Sequence, residues 1–191
     1  MLIKIVTEKQ SLLDDSSVKF KSLIEIKSSN KPKEKIERIS KIKYYFDIAK
    51  SVSTRSPCSR RKCGALLVNN DSIISTGYNG SVRKSINCGK EIPCIKDKHH
   101  EESLTSYIHC PAIHAEVNSI INSGRSGVST IGSTLFLYSS ITTDCGRPCI
   151  YCRRVIINAG LKDCYFGNEN EIQHEEIQDW IKLENEWIKN E

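Results

Sequence analysis

Apolar residues return along this chain in two different periods. From about Glu34 to Val52, Ile36, Ile39, Ile42, Phe46 and Ala49 recur at steps of three and four, the period of an amphipathic helix lying on a sheet. The pattern then shortens. Residues 63–68 and 72–76 are brief apolar runs joined by Asn69-Asn70-Asp71, which favours a tight turn, and together they predict a hairpin. Val117, Ile120 and Ile121 predict a second helix, with Pro111 as an early helical residue and Asn122-Ser123-Gly124 as its stop. Residues 134–138 predict a strand, residues 149–158 a helix closed at Gly160, and residues 161–166 the next strand. Beyond it, Ile172, Ile177, Trp180, Ile181, Trp187 and Ile188 describe an amphipathic C-terminal helix, so no fifth strand is expected after Phe166. The sheet edge is then either completed by a short strand from Leu2 to Val6 or left short.

Composition narrows the class. The 191 residues are 38% hydrophobic and 27% charged, ordinary for one domain with a core and extensions. The polar, proline-containing stretch from Lys27 to Lys33 reads as a linker, which gives an N-terminal extension over 1–34, a main domain over 35–168 and the amphipathic helix over 169–191. No run approaches the ~18 apolar residues of a membrane span, and the N-terminus acquires charge too soon for a signal peptide, so an intracellular protein without membrane partners is expected. The nine cysteines are odd in number and are read as reduced thiols and metal ligands rather than a disulfide framework. A net charge of +5, from 28 Lys and Arg against 23 Asp and Glu, suits a phosphorylated small molecule and falls short of a nucleic-acid footprint.

The chemistry concentrates in two motifs. The first is Cys110-Pro111-Ala112-Ile113-His114-Ala115-Glu116, and the second is Pro148-Cys149-Ile150-Tyr151-Cys152. His114, Cys149 and Cys152 make a three-ligand zinc site with a fourth position left for water, the arrangement of a catalytic rather than a structural zinc. Cys149 and Cys152 share a helix face. His114 and Glu116, two apart, converge only at a helix entrance, since such positions do not face each other within a helix. Glu116 is then a non-ligand carboxylate placed to move protons. A zinc closed by a fourth thiol, Cys145 or Cys110, is the competing reading.

Two further stretches stand out. Gly77-Tyr78-Asn79-Gly80 follows the hairpin and reads either as a plain turn or as backbone brought close to a ligand. Residues 81–110 have no period and carry Cys88, Cys94, His99, His100, His109 and Cys110. A long ordered loop needs a reason. A second, structural metal held by Cys58, Cys88, Cys94, His109 and Cys110 is one, and unrelated thiols and histidines are the other.

His-x-Glu followed by Pro-Cys-x-x-Cys is the signature of zinc-dependent nucleobase deaminases. With Arg55-Ser56-Pro57-Cys58, Gly64-Ala65, Gly77-Tyr78-Asn79-Gly80, the Cys-rich insert and Ile156-Ile157-Asn158-Ala159-Gly160, the chain resembles the cytidine/deoxycytidylate deaminase superfamily over residues 36–167, and within it the deoxycytidylate (dCMP) deaminases. The resemblance implies a three-layer αβα fold, a mixed sheet flanked by helices. It also implies zinc on His114, Cys149 and Cys152, with Glu116 as the proton shuttle and a substrate site at Asn79, with Tyr78, Gly80 and Ala115. A second zinc, a homo-oligomer, activation by dCTP and inhibition by dTTP are further implications. The reaction implied is hydrolysis of dCMP to dUMP and ammonia, feeding thymidylate synthesis. The loop from Ser139 to Arg147, longer than the family's link into Pro-Cys, departs from the pattern at the mouth of the site and leaves open a nucleoside or single-stranded nucleic acid as substrate. A nucleotide sensor without turnover is the reading from another class. Arg60, Arg61, Lys62, Arg83 and Arg147 are the phosphate candidates by charge and proximity to motifs.

Overall fold

A computed structural model describes residues 37–100 and 108–191 of the chain. The expected strand at Leu2–Val6 and the linker at Lys27–Lys33 lie outside those residues. Helix α1 spans Lys41–Ser53 and starts later than the periodicity predicts. Its cap is the reason. The Ser40 hydroxyl accepts the Lys43 N–H at 3.2 Å, closing the N-terminus there and leaving Ile39 outside the helix and exposed. Strands β1, Cys63–Asn69, and β2, Ser72–Tyr78, form the predicted hairpin, with Asn70 and Asp71 at φ 46° and 63° as a turn of positive-φ residues.

Strand β3 is the short Gly80–Ser81, helix α2 is Ile95–Lys98, and strand β4, Ala112–Ile113, pairs antiparallel with β3. This pairing draws Pro111 and its neighbours out of the helix they were expected to begin. Helix α3 is Ala115–Arg125, with His114 as its N-cap. It runs on past Asn122-Ser123-Gly124 because Ser123 is buried and its hydroxyl bonds the Val128 carbonyl, and the turn comes at Gly127 with φ +69°.

Strand β5, Thr134–Ser139, helix α4, Ile150–Asn158, and strand β6, Asp163–Gly167, form a parallel strand-helix-strand unit. A fifth strand does follow. Strand β7, Ile172–Glu176, pairs antiparallel with β6 before helix α5, Ile177–Asn190, so Ile172 belongs to the sheet and not to the helix. Sequence periodicity misses β7 because it is an exposed edge of polar residues, Gln173, His174, Glu175 and Glu176, with no buried face to alternate against.

The sheet order is β2-β1-β5-β6-β7, mixed, with helices on both faces. Alternation along β1 explains the layering. Leu66 and Val68 pack with Tyr45, Phe46 and Ala49 of α1, while Ala65 and Leu67 pack on the other face in a core with Ala115, Ile156, Ile177 and Trp180 from α3, α4 and α5. Two glycines let the helices approach. A Cβ on Gly64 would stand 2.1 Å from the Ala49 carbonyl oxygen, and one on Gly77 would stand 2.3 Å from the Ser119 backbone nitrogen.

Candidate active site

Both motifs sit at helix entrances on one face of the sheet. His114 caps α3 and Cys149 caps α4, and neither side chain bonds its own helix, so the two can face each other. Cys152 follows one turn into α4. His114 Nδ1 lies 3.7 Å from Cys149 Sγ and 3.3 Å from Cys152 Sγ. Among the described residues, these are the only three Cys, His, Asp or Glu whose ligand atoms all fall within 4.8 Å of one another. The first-turn N–H groups and positive ends of two helices favour thiolates here.

The donor set fits a zinc ion. Two thiolates and an imidazole are soft and borderline ligands of the kind zinc takes, three in number as in catalytic sites. Contact with the Cys149 thiol, and then burial, pushes the Cys152 thiol far up, and a dication is what allows such crowded thiols to ionise together. A closed site does not form: neither Cys110 nor Cys145 joins the cluster.

Glu116, the second residue of α3, is 4% exposed. It lies against Cys152 and in the field of His114. Burial raises its pKa, which brings a carboxylic acid towards the range where it can both take and return a proton.

His114, Glu116 and Cys149 line a cavity partly open to solvent. Its walls bring together Asn79, Ala115, Leu137 and Cys63, with Arg60, Arg61, Lys96, Gly146 and Arg147 also contributing. Of the expected substrate residues, Asn79 and Ala115 line it, whereas Tyr78 and Gly80 do not. Asn79 is buried, its Oδ1 accepting the Cys63 N–H and its Nδ2 donating to the Arg61 carbonyl, each at 2.8 Å, so it braces the chain entering β1. One N–H and one lone pair of the amide remain. Burial pushes the Cys63 thiol up to about 12, and the nearby Glu116 adds to the rise.

Of the cations expected by charge, Arg60, Arg61 and Arg147 reach the cavity, while Lys62 and Arg83 do not, Arg83 bonding Asn122 instead. The long loop after β5 explains part of this. Ser140 exchanges two hydrogen bonds of 2.9 Å with the Lys62 backbone, and Asp144 pairs with Arg61 while its carbonyl accepts the Asn168 amide at 2.9 Å. Gly146, at φ +67°, then turns the chain along the cavity wall. Sequence reasoning missed Lys96 and Cys63. Neither lies in a motif, and Lys96 sits in the stretch without a period.

Of the residues considered for a second metal, Cys58, which precedes the hairpin, and Cys110 of the insert line the cavity, Cys88 lies against Cys94, and His109 stacks on His99 with ring centroids 4.1 Å apart. These residues do not gather three ligand atoms as closely as the His114 cluster does.

A buried carboxylate beside a His-Cys-Cys cluster, at two helix entrances on a mixed sheet, defines the nucleobase deaminase class. The chain belongs to the cytidine and deoxycytidylate deaminase zinc-binding region family, whose model matches residues 39–168. It is 31% identical over 134 residues to the ComE operon protein 2 of Bacillus subtilis, covering 70% of this chain and 62% of that one. It is 30% identical over 146 residues to the deoxycytidylate deaminase of Enterobacteria phage T2, covering 61% of this chain and 74% of that one. Among solved structures it resembles the apo dCMP deaminase of cyanophage S-TIM5, with a TM-score of 0.50 and 29% identity over 68% of this chain and 84% of that one. The chain spans between 35% and 62% of the length of the bacterial and yeast relatives it matches.

Proposed function

We propose that this chain is an enzyme that hydrolyses dCMP to dUMP and ammonia. The observation that carries the reading is the buried Glu116 beside the His114, Cys149 and Cys152 cluster, at a cavity that opens to solvent. Similarity to proteins named deoxycytidylate deaminase supports the choice of substrate.

His114, Cys149 and Cys152 would hold the zinc, which when bound supplies a polarised water of lowered pKa for addition to the ring. Glu116 takes the proton released as water adds to C4 of cytosine, and passes protons to N3 and to the amine. The C4–N bond breaks, ammonia leaves and the ring becomes uracil. Burial that disfavours the ionised carboxylate makes Glu116 a competent donor in the second half of this sequence. Asn79 and Ala115 form the wall against which the nucleoside would rest, with Tyr78 and Gly80 shaping the turn behind them.

The proposal extends to supply of dUMP for thymidylate synthesis, to an intracellular location where free nucleotides are found, and to a homo-oligomer activated by dCTP and inhibited by dTTP. Among the described residues, no helix is long and apolar enough to cross a membrane. A second, structural zinc drawing on Cys58, Cys88, Cys94, His109 and Cys110 belongs to the same proposal, supported by the contact of Cys88 with Cys94 and the nearness of Cys110 to Cys88. Metal analysis distinguishes one zinc per chain from two.

Ammonia release by the zinc-loaded full chain, offered dCMP, deoxycytidine, cytidine and a cytosine-containing oligonucleotide in parallel, tests the reaction. Preference for dCMP supports it. Zinc-loaded protein that binds nucleotides but releases ammonia from none of them overturns it in favour of a sensor.

A further inference from the structure

Four cations line the cavity that holds Glu116, and three of them are already matched. Arg60 Nε lies 2.6 Å from Asp97, Arg61 pairs with Asp144, and Arg147 reaches Glu175 through two nitrogens at 3.0 and 2.8 Å. Lys96 is the fourth. It is 7% exposed, more buried than any of the three arginines, yet it has no carboxylate partner among the described residues. Lysine is seldom buried without a counter-charge, because removing an ammonium from water is costly unless an anion replaces the lost hydration. The cavity that Lys96 lines is where such an anion would sit.

We propose that Lys96 is the counter-charge for the 5′-phosphate of the substrate and so sets the preference for nucleotide over nucleoside. The inference rests on the dCMP reading above and adds to it the residue that reads the phosphate. A phosphate monoester brings close to two negative charges and three acceptor oxygens, and an ammonium suits it as a point charge with three donors. The matched arginines serve a different end. Each is held by a carboxylate that is not part of the cavity lining, and binding a phosphate through them would leave that carboxylate unpaired. Lys96 carries no such penalty.

Its position also follows from the fold. Helix α2 is a single turn, begun at the buried Cys94, whose neighbour across the insert is Cys88. The insert therefore has a task that its lack of periodicity hides, which is to carry one lysine to the cavity.

The experiment uses the zinc-loaded full chain, with Lys96→Met to keep the apolar stem and remove the charge, and Lys96→Arg to restore charge. Zinc content and thermal unfolding establish that each variant is folded. The expected result for Lys96→Met is a loss of kcat/KM for dCMP on the order of 100-fold, mostly in KM, as for truncation of one partner of a buried charge pair. Turnover of deoxycytidine stays within a few-fold of wild type. Inorganic phosphate inhibits the wild type competitively against dCMP and loses that effect in Lys96→Met, and Lys96→Arg recovers part of both.

Equal losses on dCMP and deoxycytidine overturn the inference and leave Lys96 a packing role. Unchanged kinetics on dCMP overturn it too, and place the phosphate on the arginines. If the wild type turns over neither substrate, the reaction itself fails, and dUMP binding by calorimetry then decides Lys96 separately: weaker binding in Lys96→Met upholds the phosphate contact, and equal binding rejects it.

Discussion

Glu116 and its three neighbours were legible at the level of single residues because a helix entrance has simple geometry. Positions N-cap and N2 of α3 fall on the same side of the first turn, and the same holds for Cys149 and Cys152 on α4, so the spacing of each motif dictates convergence once two helices start side by side. Glu116→Gln tests the role of the carboxyl with little change in shape. The expected outcome is a fall in kcat of about 10²–10⁴-fold with zinc per chain unchanged, read by ammonia release and metal analysis of the same preparation. His114→Ala should instead lower the zinc content, because two thiols remain where three ligands are needed. Lys96 was not legible, since its burial comes from the surrounding insert and not from any local pattern. Asn79 stood out in the sequence as a candidate substrate contact, but its structural task of bracing Arg61 and Cys63 could be seen only once β1 and β2 were paired.

At the scale of elements, the close approach of α3 to β2 is what seats the first motif. Gly77 marks the contact. A methyl group there would meet the Ser119 nitrogen at 2.3 Å and the Ala115 carbonyl at 2.4 Å, both backbone atoms that cannot turn aside. Gly77→Ala should therefore destabilise by about 1–3 kcal/mol, several degrees in Tm, and lower zinc affinity as well, because Ala115 lies between His114 and Glu116. Gly124, near the end of the same helix, is the control. A Cβ there would meet nothing within 4 Å, and Gly124→Ala should stabilise by roughly 0.5–1 kcal/mol through reduced freedom of the unfolded chain. Thermal unfolding of both variants reads the contrast. The elements that sequence periodicity found are those with a buried stripe, such as β1 and β5. It missed β7, which is polar and exposed, and misplaced the start of α3, where pairing of Ala112–Ile113 with Gly80–Ser81 overrides the helical preference of Pro111.

Across the whole described fold, the chemistry and the clamp that holds α1 lie on opposite faces of the sheet. On the α1 face, two carboxylates each gather one lysine and one tyrosine hydroxyl. Asp71 pairs with Lys41 and accepts the Tyr45 hydroxyl at 2.8 Å, and Glu169 pairs with Lys50 at 2.9 Å and accepts the Tyr138 hydroxyl. The Lys41 contact chiefly lowers the pKa of Asp71, and the Tyr138 hydrogen bond chiefly lowers that of Glu169. A carboxyl that ionises at lower pH in the folded chain than in the unfolded one, near 4, stabilises the fold fully above that value and loses its contribution as pH falls through the lowered folded value. The contribution of these two carboxylates to Tm should therefore hold level from neutrality down to about pH 5 and decline below about pH 4. In the double variant Asp71→Asn, Glu169→Gln, Tm at pH 7 should be lower and the acid decline shallower. Both carboxylates are exposed, so molar salt should shrink the difference between the variant and the wild type at neutral pH. Turnover per zinc at pH 7 should not change, because α1 touches β1 and β5 from the side away from His114 and Glu116. An acid decline as steep in the variant as in the wild type would move the acid sensitivity off this face and onto carboxylates elsewhere in the fold.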